Sequence, residues 1–301
     1  MQFTGCGTAV VTPFRHDLSL DETALRWLIR RQIDAGVDFL VPCGTTGEAP
    51  TLTPRERLRV IDIAVEEARG IVPVLAGAGG YNTVEVIEMA RELEAKGVDG
   101  ILSVTPYYNK PTQEGLYQHF KAIAAATSLP IVLYSVAGRT GVNIEPATVR
   151  RLAEIENIAG IKEASGSIAQ MGAILGCVPE RFAVLSGDDS LALPLISLGG
   201  RGVISVISNE IPGAMVRLTQ LALRGDFTAA RQLHYKYLPL MEINFVESNP
   251  IPVKAAMAIM GLLDPVWRLP LVPPKQEHLE KIRRVLESLE MIPHAVAAGK
   301  D

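Results

Sequence analysis

The sequence predicts an α/β protein: a (β/α)8 barrel with a C-terminal helical appendix. Short apolar runs alternate with longer amphipathic stretches at a spacing of roughly 25 to 30 residues, the pattern of repeated βα units. Eight such runs occur, each followed by a helical stretch and each apolar enough to be covered on both faces, which favours a closed barrel over an open sheet. No further strand run follows Arg224-Gly225, so the barrel is assigned to residues 1–224 and a helical unit to 225–301.

In chain order the strands are expected at Thr8 to Thr12, Phe39 to Pro42, Val72 to Ala76, Gly100 to Val104, Ile131 to Tyr134, Ile158 to Lys162, Ala183 to Ser186 and Gly202 to Ser205. The first helix is expected to start at a Ser19/Glu22 capping box, ahead of Leu25, Leu28, Ile29 and Ile33 on one face. Thr53-Pro54-Arg55-Glu56 combines an N-cap, a proline at the first helical position and a box-closing glutamate. Further helices are read over Thr83 to Lys96, Glu114 to Ala126, Pro146 to Glu154, Ile168 to Gly176, Ser190 to Leu198 and Pro212 to Leu223. Beyond the barrel, Phe227 to Met241, Pro252 to Leu262 and Gln276 to Leu289 read as helices, and His294 to Asp301 as a frayed polar end.

Composition narrows the function classes. The 301 residues are 48% hydrophobic and 21% charged, ordinary for a globular protein. A net charge of −4 offers no basic field for nucleic acid or an anionic membrane, so small molecules are the expected partners. Cys6, Cys43 and Cys177 are widely spaced and form no Cys-x-x-Cys pair, which argues against a disulfide framework and a zinc site and for a reducing compartment. Met1 to Gly5 carry no basic n-region or long apolar segment, so no signal peptide is expected, and no run is long enough to span a membrane. A cytoplasmic location follows.

A barrel of this kind presents its chemistry at the C-terminal ends of its strands. The second is followed by Gly44-Thr45-Thr46-Gly47-Glu48, whose hydroxyls and free N–H groups suit a carboxylate or phosphate oxygen, although a plain loop before a capped helix fits as well. The fourth leads into Tyr107-Tyr108 between prolines, a contact-forming pair. Tyr134, ending the fifth, can shuttle a proton, and Arg139 between glycines can clamp a carboxylate. The sixth ends at Lys162, which is either a snorkelling surface residue or a half-desolvated nucleophile. Asp188-Asp189 after the seventh could cap the next helix or bind a metal. The histidines form no ligand pair, Gly77-Ala78-Gly79-Gly80 lacks the spacing of a dinucleotide loop, and no phosphate-loop or Gly-x-Ser-x-Gly motif is present. No metal and no cofactor are called for. Lysine, tyrosine, arginine and a hydroxyl-rich turn together suggest Schiff-base chemistry on a small keto acid.

Gly44 to Glu48, Val104 to Leu116, Tyr134 with Gly138-Arg139-Thr140-Gly141, Gly160 to Ala164, Leu185 to Asp189 and Phe245 to Lys254 together resemble the dihydrodipicolinate synthase family of pyruvate-dependent class I aldolases. The resemblance runs from Phe3 to about Pro293. It implies that Lys162 forms a Schiff base with pyruvate and that the resulting enamine adds to L-aspartate 4-semialdehyde. It also implies a proton path through Tyr134, Thr45 and a partner subunit's copy of Tyr108, with Thr46 on the pyruvate carboxylate and Arg139 on the semialdehyde carboxylate. Gly187 and Ile204 would supply backbone groups at the mouth, and the assembly would be a homotetramer built as a dimer of dimers.

Two departures stand out. Ser135-Val136-Ala137 replaces the family's frequent Asn-Val-Pro after the strand-five tyrosine, which bears on how Arg139 is presented. Where lysine-inhibited members carry two histidines and an asparagine, this chain has Pro54, Arg57 and Tyr81, with Glu85 and Tyr107 retained, so weak or absent inhibition by lysine is expected. Competing readings are a sibling lyase acting on sialic acid or a 2-keto-3-deoxy sugar acid, and a non-catalytic keto-acid-binding paralogue.

Overall fold

The computed structural model describes residues 3–293. The expected fraying of His294 to Asp301 lies outside them. Eight parallel strands, β1 (Gly5–Ala9), β2 (Phe39–Val41), β3 (Leu75–Gly77), β4 (Gly100–Val104), β5 (Ile131–Ser135), β6 (Ile158–Glu163), β7 (Ala183–Ser186) and β8 (Gly202–Ser205), pair in the order β2-β1-β8-β7-β6-β5-β4-β3. A parallel bridge from Leu40 to Val74 brings β2 to β3 and all but closes the ring. The helices that follow the strands in turn are α1 (Glu22–Asp34), α2 (Pro54–Ala68), α3 (Thr83–Ala95), α4 (Gln113–Ala124), α5 (Ala137–Thr140), α6 (Pro146–Leu152), α7 (Ile168–Leu175), α8 (Ala192–Ser197) and, after β8, α9 (Pro212–Leu223). Three more, α10 (Phe227–Ile243), α11 (Ile251–Ile259) and α12 (Gln276–Ser288), follow the barrel.

Two apolar layers hold this together. Alternate strand residues such as Phe39, Leu75, Val132, Leu185 and Ile204 fill the barrel interior. The others, among them Leu40, Ile101, Leu133 and Val184, meet the buried faces of the surrounding helices. This double coverage is why the strands read as continuous apolar runs.

β4, β7, β8 and α9 fall where the sequence places them. β1 begins and ends three residues earlier than expected. The Val10 N–H still reaches the Val41 carbonyl at 3.1 Å, but the ladder goes no further, because the Val11 N–H donates instead to Asn209 Oδ1 at 3.1 Å. Gly5 and Gly7, poor strand formers by propensity, are needed. Gly5 sits at φ +88, and a Cβ on Gly7 would lie 2.1 Å from the ring of Phe39. β3 starts later than expected because Pro73 has no N–H and the Val74 N–H is taken by the Asp99 carboxylate at 2.8 Å. The N-cap of α1 is Asp21, which accepts from the Ala24 N–H, whereas Ser19 donates its hydroxyl to Asp17. The capping box at Thr53 and Glu56 is present in full.

Candidate active site

One extra residue in β6 decides which side chain faces the barrel interior. Ile131 pairs with Ile158 but Val132 pairs with Gly160, so Ala159 has no partner of its own. Because side chains alternate along a strand, such a bulge moves every later residue to the opposite face. Tyr134 and Lys162 thereby become register partners, and Lys162 Nζ lies 4.4 Å from the centroid of the Tyr134 ring. Both side chains are buried. A cation over an aromatic face is attracted by the ring quadrupole, which holds the amine at the strand end.

The next strand leaves room for the lysine. A Cβ on Gly187 would lie 3.1 Å from Lys162 Cε and 2.5 Å from Ala164 Cβ. The Gly187 N–H donates to the Glu163 carbonyl at 2.7 Å, so its carbonyl is the backbone group left for a ligand. Asp188 follows and makes no side-chain cap to the turn behind it. Burial raises its carboxyl above the ordinary range, and the positive charges of Lys162 and Arg139 oppose that rise. Glu163 points the other way, accepting from the Ser165 N–H and the Gln170 amide, and burial raises its carboxyl too.

Thr45, Tyr134 and Arg139 line one cavity of about 290 Å³, together with Arg57, Val104, Tyr107 and Thr140. Cys43 also lines it, but burial pushes its thiol up to about 12, so it does not compete as a nucleophile. Thr46 is buried behind Thr45, its Oγ1 accepting from Asn249 Nδ2 at 2.8 Å. Arg139 is presented by α5, a four-residue helix that sequence reading did not anticipate, and donates through Nη2 to the Asn249 carbonyl at 3.0 Å. The departure at Ser135-Val136-Ala137 therefore still brings Arg139 to the cavity. Ile204 is fully buried in the interior layer that includes Tyr134.

Tyr108 is the candidate the fold does not bring in. It is 90% exposed, at φ +62, on the loop before α4, while Tyr107 beside it lines the cavity and packs edge-on against Tyr81 at 5.2 Å. Sequence reading also left Asn249 and Lys254 without a role, although both lie in the Phe245 to Lys254 motif. Lys254 ion-pairs with Glu48 in a fully buried contact. The signal was available: α11 is apolar except for this lysine, and a lone buried charge must be paired. Among the described residues no His/Cys/Asp/Glu group could hold a metal, and no helix is long and apolar enough to cross a membrane.

A family model described as the dihydrodipicolinate synthetase family matches residues 2–289. The 4-hydroxy-tetrahydrodipicolinate synthase of Koribacter versatilis is 52% identical over 299 residues, covering 99% of this chain and 100% of that protein. A crystal structure of dihydrodipicolinate synthase from Thermotoga maritima superimposes with a TM-score of 0.95 at 44% identity, over 97% of this chain and 100% of the other. A structure described as the first monomeric dihydrodipicolinate synthase variant matches with a TM-score of 0.94 at 44% identity, over 96% of this chain and 98% of that one.

Proposed function

The chain belongs to the dihydrodipicolinate synthetase family, and on that premise we infer that it condenses pyruvate with L-aspartate 4-semialdehyde to give 4-hydroxy-tetrahydrodipicolinate, the entry step of diaminopimelate and lysine biosynthesis. The observation that carries the residue assignment is the buried Lys162 amine held over Tyr134 beside a cavity lined by Thr45 and Arg139.

Lys162 Nζ attacks the ketone carbon of pyruvate, and loss of water leaves an imine. The imine nitrogen withdraws electrons, the pyruvate methyl loses a proton, and an enamine forms. Its carbon attacks the aldehyde carbon of the semialdehyde, whose oxygen takes up a proton. The amino group of the semialdehyde then attacks the imine carbon, closing the ring and releasing the Lys162 amine. Tyr134 exchanges the protons, relayed through Thr45. Thr46, whose Oγ1 already accepts from Asn249, is free to donate its hydrogen to the pyruvate carboxylate. Arg139 receives the semialdehyde carboxylate. Gly187 and Ile204 contribute backbone groups at the mouth.

The exposure of Tyr108 supports an assembly in which this tyrosine completes the proton path of a second copy; a homotetramer built from two dimers, in the cytoplasm, is what membership of the family implies for that assembly.

Incubation with pyruvate and borohydride, followed by peptide mapping, tests the reading. A reduced pyruvyl adduct on Lys162, absent from Lys162→Ala, is the expected result. Turnover of sialic acid or 2-keto-3-deoxygluconate with none on aspartate semialdehyde would reject this substrate assignment.

A further inference from the structure

The segment from Asn249 to Lys254 touches three parts of the site at once. The Asn249 amide donates to Thr46 Oγ1 at 2.8 Å, its carbonyl accepts from Arg139 at 3.0 Å, and Lys254, one turn into α11, pairs with Glu48. Glu48 closes the turn that carries Thr45 and Thr46. Its N–H donates to the Thr45 carbonyl at 3.1 Å, and its own carbonyl accepts from the Thr51 N–H at 2.8 Å. It occupies the left-handed region at φ +52, a conformation that costs a non-glycine residue and persists only when its surroundings hold it.

What holds it is internal. Both charged side chains are fully buried, and Lys254 Nζ lies 4.5 Å from the centroid of the Phe14 ring, whose plane also receives Arg268 at 4.2 Å. The second carboxylate oxygen of Glu48 has no hydrogen-bond partner among the described residues. A bare ion pair at this depth is a poor source of stability, since desolvation offsets the attraction, whereas it is effective at fixing one register against another. Burial pushes the Glu48 carboxyl up and the Lys254 amine down, and their attraction opposes both shifts.

We propose that the Glu48–Lys254 pair is a positioning device: it locks the Gly44 to Glu48 turn to α11, so that the helices following the barrel set where Thr45 and Thr46 stand relative to Lys162. Lys254 acts through Glu48 and touches no substrate. The proposal rests on the assignment of Lys162 and Thr46 above. If the turn is released, Thr46 loses its place for the pyruvate carboxylate, a contact made alike in ground and transition states, and its loss raises KM more than it lowers kcat.

Lys254→Met alone strands a buried carboxylate and can fail to fold, so the decisive variant is the double change Glu48→Gln with Lys254→Met, which removes both charges at similar volume. Pyruvate kinetics, borohydride trapping at subsaturating pyruvate and thermal unfolding are measured side by side with the unaltered protein. The expected result is a melting temperature close to that of the unaltered protein, with pyruvate KM raised about tenfold or more, trapping slowed by a similar factor, and kcat lowered by a smaller factor through the displaced Thr45. A folded double variant whose KM and trapping rate stay within about twofold overturns the proposal and leaves the Lys162 assignment standing. Failure of the unaltered protein to trap pyruvate at all would overturn that assignment and this proposal with it.

Discussion

Tyr134 and Lys162 are register partners on adjacent strands only because β6 carries Ala159 as an unpaired residue. Without that bulge Lys162 would stand opposite Ser135, whose side chain lies outside the interior layer. The ring of Tyr134 and its hydroxyl therefore do separable work: the ring faces the amine, and the phenol carries protons. Tyr134→Phe keeps the ring. We expect the folded stability and the trappable adduct at long incubation to survive, while kcat falls by about 10²- to 10⁴-fold, the usual worth of a positioned acid/base group. Steady-state turnover of the variant within a few-fold of the unaltered enzyme would remove Tyr134 from the proton path.

The barrel was legible in the sequence because double coverage makes each strand an apolar run, and capped amphipathic helices lie between the runs. The bulge was not legible. Ile158-Ala159-Gly160-Ile161 is equally apolar in either register, and only pairing with β5 shows that Ala159 is the extra residue. The start of β1 was hidden for the opposite reason: Gly5 and Gly7 have weak strand propensity but are required by the close approach of Asp38 and Phe39. At the site, Thr45, Tyr134, Arg139 and Lys162 were legible as polar residues at strand ends. The contacts of Asn249 and Lys254 were not, since they cross some 200 residues of chain, from Thr46 to Asn249 and from Glu48 to Lys254.

Tyr108 gives a clean test of site sharing. Nine-tenths exposed in a single chain, it contributes little to the stability of the monomer, so Tyr108→Ala should leave thermal unfolding of a dissociated chain unaltered. In the assembled protein the same change should lower kcat by about tenfold or more if the tyrosine reaches a neighbour's site. Sedimentation and kinetics measured over one dilution series complete the test. Activity that persists undiminished in the monomer would count against the shared path.

Lysine should inhibit weakly or not at all. Arg57 is one of the three residues, with Pro54 and Tyr81, set against the two histidines and asparagine of lysine-inhibited members; it lines the cavity, and its Nη2 is committed to the Gly77 carbonyl at 2.9 Å. A fixed guanidinium there repels a cationic ligand. Tyr81 is engaged edge-on with Tyr107 at 5.2 Å, and Glu85 accepts from the Asn82 amide at 2.8 Å. A dose–response measurement with saturating substrates decides the matter, and half-inhibition at submillimolar lysine would sink the expectation.

His119 sets one component of acid sensitivity. Its Nδ1 lies 2.9 Å from Thr83 Oγ1, its Nε2 is buried without a partner, and burial lowers the imidazole from 6.5 to about 4. The folded protein thus holds this ring neutral under conditions where the unfolded chain would protonate it. Its contribution is fully present above the unfolded value of 6.5 and is lost as pH falls towards about 4. Between pH 7 and pH 5 the loss should be about 2 kcal/mol, from about 1.36 kcal/mol per pH unit across the part of that window where only the unfolded chain binds the proton. His119→Leu removes the group but leaves the buried site apolar against Phe120, whose ring centroid is 5.0 Å away. The variant should therefore lose less stability than the unaltered protein over the same interval, by roughly that amount, in urea unfolding measured at both values. Equal losses for the two proteins would show that His119 is protonated in the fold and that its burial is no barrier to charge.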